Sequence, residues 1–81
     1  MKIYKYGDSC NLCGKKVKTA RQYQDLTQDQ LAARMQIEGI QLTQRAISRI
    51  ETGERLVADY ELLCLAKVLN VDLHWLLDSE K

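Results

Sequence analysis

Apolar residues in this chain recur at intervals of three and four, the period of an α-helix with one buried face. No segment sustains the alternation of a half-buried strand, so the chain is limited to helices packed on helices. The clearest stripe is Leu62, Leu65, Ala66 and Leu69, at i, i+3, i+4 and i+7. Asp59 is placed to cap that segment, and Asn70 tolerates the left-handed conformation that closes a helix, so the pattern predicts a helix over 60–69. A short helix over 72–77 follows, with Leu73, Leu76 and Leu77 inward.

Upstream, residues 11–24 read as a first helix with Val17, Ala20 and Tyr23 facing inward, although Gly14 weakens its first turn by about 1 kcal/mol relative to Ala. Thr27 and Gln30 form the Thr-x-x-Gln capping pattern that opens a second helix, with Leu31, Ala32 and Met35 as its apolar stripe and Gly39 as its stop. Ile37, Ile40 and Leu42 call for burial on the flank of the domain. Thr43 is a second N-cap, opening a helix over 44–52 that Gly53 closes. At about 100° per residue, Ala46, Ile47 and Ile50 share one side of it, while Gln44, Arg45, Ser48 and Arg49 share the other. The expected architecture is a small all-α globule of five helices.

Eighty-one residues suffice for one domain. Residues 1–9, with Lys2, Tyr4, Lys5 and Tyr6, read as a flexible arm, 10–78 as the domain and 79–81 as a tail. No apolar run approaches the roughly 18–20 residues that span a bilayer, and no signal peptide is recognisable. The expectation is a soluble, cytoplasmic protein without a membrane partner. The net charge of +1 conceals an asymmetry: residues 1–25 carry six cations against two acids, residues 26–55 are balanced, and residues 56–81 carry two cations against five acids. Such a distribution permits a basic face.

The polar side of the third helix is the most informative constellation. In the major groove Gln pairs bidentately with adenine and Arg with guanine, each good pair contributing about 1–3 kcal/mol of discrimination. Helix N-termini, hydroxyls and amides meanwhile hold phosphates. A solvated helix face is the simpler account of four such residues taken alone.

The strings Leu26-Thr27-Gln28-Asp29-Gln30-Leu31-Ala32 and Ala46-Ile47-Ser48-Arg49-Ile50-Glu51-Thr52-Gly53-Glu54-Arg55 occur in this order, followed by Asp59-Tyr60-Glu61-Leu62-Leu63, residues 65–71 and Trp75-Leu76-Leu77. Together they resemble the Cro/lambda-repressor-type (XRE) helix-turn-helix family over residues 11–78. The resemblance implies a lambda-repressor-like fold and a sequence-specific DNA-binding transcriptional regulator, read here as a repressor. It implies that Gln44, Arg45, Ser48 and Arg49 read bases, with Ser48 at the groove edge or on a phosphate. Gln28, Thr43 and Arg55 would hold phosphates, Gln28 also bracing the residue that opens helix three. Arg21 and Glu51 match a buried salt bridge tying helix one to helix three. The usual turn in such a motif has about three or four residues. Here Met35 and Ile47 are twelve residues apart, so the extra residues around 36–42 must lengthen helix two or loop out.

Cys10 and Cys13 form a Cys-x-x-Cys pair whose only further zinc candidates are Cys64 and His74. Without a second paired spacing the reading is three reduced thiols and no metal. His74 beside Trp75 has no partner acid or nucleophile readable from the sequence, and neither an enzyme nor a cofactor nor a small-molecule substrate is expected. The expected partners are double-stranded DNA and a second copy, a homodimer built on helix five or the end of helix four, where Leu63, Trp75 and Leu77 lie at the edge of the core stripes. The alternative is a helix-turn-helix-shaped protein-interaction module, an antitoxin or adaptor, whose third helix binds a protein.

Overall fold

The computed structural model describes residues 7–78. The terminal stretches of the expected arm and tail, 1–6 and 79–81, lie outside these residues. Five helices follow one another: α1 (Gly14–Tyr23), α2 (Gln28–Ile37), α3 (Gln44–Glu51), α4 (Asp59–Leu69) and α5 (Leu73–Leu77). Among the described residues there is no strand element, and no helix is long and apolar enough to cross a membrane.

The helices begin where the chain supplies acceptors for unpaired N–H groups. The Thr27 hydroxyl accepts from the Gln30 N–H (3.0 Å) and the Gln30 side chain accepts from the Thr27 N–H (2.8 Å), a complete capping box. Thr43 accepts from the Ala46 N–H at 3.1 Å and opens α3. The start of α4 departs from expectation. Ala58 is the N-cap and Asp59 the first helical residue; capping comes from Glu61, whose carboxylate accepts from the Ala58 N–H at 3.0 Å.

The first four helices close in one way. After α2, the Gly39 N–H donates to the Gln36 carbonyl (3.0 Å) and the Ile40 N–H to the Met35 carbonyl (2.9 Å), the paired bonds of a Schellman closure. Asp25, Gly53 and Asn70 take the same left-handed position after α1, α3 and α4.

Val17, Leu31, Met35, Ile47, Ile50, Leu65, Leu69 and Leu76 are fully buried and form the centre of one core. Helix α1 packs against α3, α4 and α5, and α2 packs against α3 and α4. Helix α4 also packs against α5, and α3 keeps its polar side outward. Three apolar residues depart from the predicted burial. Tyr23 is 89% exposed, Ile37 is 81% exposed at the last turn of α2, and Leu77 is exposed at the end of α5. Of the flank residues, Leu42 is buried and Ile40 packs on the core. The extra residues of the motif are accommodated by an α2 that runs to Ile37 and a six-residue turn over 38–43. The Gln36 side-chain amide donates to the Leu42 carbonyl across this turn (3.0 Å).

Candidate nucleic-acid interface

Helix α3 is strongly two-sided. Ile47 and Ile50 have no exposure, whereas Gln44, Arg45 and Arg49 are exposed on the opposite side and Ser48 is half-buried beside them. Thr43 is exposed at the helix start, with its oxygen accepting from Ala46 and its hydroxyl proton able to donate outward. The first-turn N–H groups of α3 and of α2 also present positive partial charge. Arg45, Arg49 and Thr43 line one open cleft of about 530 Å³ with Cys10 and the loop after α3. The Arg49 guanidinium lies 3.7 Å from the Glu54 carboxylate, with both side chains more than half exposed. A pair so open to water contributes about 0–1 kcal/mol and yields readily to a better partner.

Behind this face runs a chain of polar contacts into the interior. The Gln44 amide donates to the Gln28 side-chain oxygen at 2.6 Å, and the Gln28 amide donates to Glu51 at 3.1 Å. Glu51 accepts two bonds from Arg21, from Nε at 2.6 Å and Nη2 at 3.0 Å, while Nη1 donates to the Leu26 carbonyl at 2.7 Å. Arg21 and Glu51 are both buried. The hydrogen bond to Glu51 raises the Arg21 pKa against the opposing effect of burial, so the guanidinium stays charged. The carboxylate of α3 thus faces inward, away from the exposed arginines.

Arg55, which the resemblance places in a backbone-clamping loop, lines the same cleft and is also bonded within the fold. Its guanidinium donates to both oxygens of Glu61 (2.9 and 3.1 Å) and to the Leu56 carbonyl (2.8 Å). That geometry ties the loop after α3 to the first turn of α4. Burial and the Arg55 bond act oppositely on Glu61, and the bond prevails, holding its pKa below the ordinary carboxylate value.

Sequence reasoning missed the roles of Asn11 and Glu61, and read Gly14 only as a weak start to helix one. Asn11 and Gly14 contact α3 across long sequence separations, so no local pattern marks them; Glu61 stood three residues after Ala58, a position that marks half of a capping box. Among the described residues no group of three or more His, Cys, Asp or Glu side chains could hold a metal. Cys13 is buried in the core, which pushes its thiol pKa up to about 11, while Cys10 and Cys64 are half-buried. His74 is exposed; next to it Trp75 packs partly on the core, with the Lys16 ammonium 4.7 Å from its ring centre.

A family model described as helix-turn-helix matches residues 17–76. Among solved structures, the chain is similar to the P22 c2 repressor in complex with a synthetic operator, with 27% identity, a TM-score of 0.67, and coverage of 86% of this chain and 98% of that one. It is also similar to the apo competence regulator ComR of Streptococcus vestibularis, with 32% identity and a TM-score of 0.69 over 88% of this chain. This chain spans only 22% of the length of ComR. No curated protein matches. With its five-helix architecture, its family match and these neighbours, the chain belongs to the Cro/lambda-repressor-type (XRE) helix-turn-helix family.

Proposed function

We propose that this chain is a sequence-specific DNA-binding transcriptional regulator that acts as a repressor in the cytoplasm and enters the major groove with α3. The observation that carries the reading is the exposure of Gln44, Arg45 and Arg49 on one face of a helix whose other face is locked in the core. The operator complex of the similar P22 c2 repressor supports the same partner. In this reading Gln44, Arg45 and Arg49 meet base edges, Ser48 lies at the groove edge, and Thr43 and Gln28 hold phosphates. Gln28 has a second task, since its side-chain oxygen accepts from the Gln44 amide and fixes the orientation of Gln44. Arg55 is likewise assigned to a phosphate, from a loop that its bonds to Glu61 hold in place.

One reading helix covers few base pairs, so the repressor acts as a homodimer on half-sites about 34 Å apart. The domain measures 31 × 28 Å in its two longer dimensions, which brings neighbours at that spacing within touching range. Exposed Leu63 and Leu77 with half-buried Trp75 supply apolar surface for the contact. Sedimentation showing a strict monomer, both free and on DNA, would remove this part of the proposal.

The deciding experiment is selection of bound sequences from a random duplex pool, followed by a salt titration on the selected site. Binding must weaken steeply with salt, with a log–log slope of about −0.9 per phosphate neutralised. Failure to enrich any sequence, with salt-insensitive binding, would favour the protein-interaction module, a role to which the net charge of +1 is also suited.

A further inference from the structure

We infer that Asn11 is a positioning residue for DNA recognition, setting how α3 and the loop behind it are presented; this rests on the reading of α3 as the DNA-binding helix. Its side-chain amide donates to the Ile50 carbonyl (3.1 Å) and to the Arg55 carbonyl (2.7 Å). Its side-chain oxygen accepts from the Gly14 N–H (2.8 Å), at the start of α1. One amide therefore spans the turn that closes α3 and ties both of its ends to the neighbouring helix. The Ile50 carbonyl follows directly on Arg49 in the chain, so the grip acts next to a base-reading side chain.

The surrounding segment is shaped for the same purpose. The Ser9 hydroxyl donates to the Asn11 carbonyl (2.7 Å) and accepts from the Asn11 N–H (3.2 Å), which holds Asn11 in place. The Cys10 N–H donates to the Gly53 carbonyl (2.8 Å). Residues 9–14 thus lie as a strap across the closing turn of α3, ahead of residue 17 where the family match begins.

The amide has two separable tasks, capping α1 through its oxygen and holding α3 through its nitrogen. Asn11→Ser keeps a side-chain oxygen for the Gly14 N–H but cannot donate to both carbonyls. Affinity for the selected site and for an unrelated duplex is measured for the wild type and the variant, with the folded fraction fixed by thermal melts. The expected result is a loss of about tenfold in the ratio of specific to non-specific affinity, with non-specific affinity and its salt slope unchanged. A purely structural role would lower the melting temperature and leave that ratio intact, which would overturn the inference. If Asn11→Ser is unfolded at the assay temperature, Ser9→Ala decides: it removes only the hydroxyl that holds Asn11, and must lower the ratio in the same direction. A wild type that prefers no duplex would overturn the DNA-binding reading and this inference with it, whereas equal discrimination by the wild type and the folded variant overturns this inference alone.

Discussion

Gly14 and Ile50 meet without a side chain between them: a Cβ on Gly14 would stand 2.2 Å from the Ile50 carbonyl oxygen. Helix propensity alone favours Ala over Gly by about 1 kcal/mol. Overpacking against a backbone atom works against it, and costs about 1–3 kcal/mol. Gly14→Ala is therefore expected to destabilise the domain, read as a lower urea midpoint. A higher midpoint would show that α1 can slide away from α3 freely.

Removing one partner of the buried Arg21–Glu51 pair leaves a charge without compensation, at a cost of about 3–5 kcal/mol. Arg21→Met should show that loss in chemical denaturation. Arg21→Met combined with Glu51→Leu should recover most of the stability. It should not recover DNA affinity, because Gln28 loses the acid that anchors it behind Gln44. Equal recovery of both properties would contradict the coupling.

Glu61 has a folded-state pKa below its ordinary value of 4.5, first through its bond from Arg55 and then, against burial, through the Ala58 N–H. A lowered pKa contributes stability that is fully present above the unfolded value, near pH 4.5, and is lost as pH falls through the folded one. Glu61→Gln should lower stability at neutral pH and flatten the decline below about pH 4.5. Parallel acid limbs for variant and wild type would show that this carboxylate contributes nothing to the transition.

Cys13 is 2% exposed, with its thiol pKa pushed up to about 11 by burial. The thiolate is the reacting form, so Cys13 should be the last of the three thiols alkylated in the native protein. Peptide mass spectrometry after timed iodoacetamide treatment measures the order. Prompt labelling of Cys13 would mean that the start of α1 opens readily.

Arg49→Ala should cost about 1–3 kcal/mol on the preferred site and relax discrimination at one base pair. Glu54→Ala should act in the opposite direction, since it frees the Arg49 guanidinium and removes a negative charge beside the interface. Competition binding on single-base variants of the selected site tests both. An equal loss for Arg49→Ala on every sequence would make that residue a phosphate contact.

Local chemistry made the helices legible. Thr27 with Gln30 and Thr43 announce α2 and α3 because a cap is written within four residues. Asp59 misled for the same reason: it is a good capping residue by type, yet Glu61 reaches back to the Ala58 N–H instead. Tyr23 matched helical spacing and Ile37 was read as flank burial, but both fall on outward turns at the ends of α1 and α2 and are exposed. The two-sidedness of α3 could be drawn on a wheel. The grip of Asn11 on Ile50 and Arg55 could not, since those contacts join residues 39 and 44 positions apart.

The long turn between α2 and α3 is fastened at both ends, by the closure at Gly39 and by Leu42 sunk into the core, with Gln41 exposed between them. Gln41 is thereby an exposed point held in a fixed place by anchored neighbours on either side. A dye or tether attached at residue 41 would report on the bound complex from the surface while leaving the geometry of the reading head as it was.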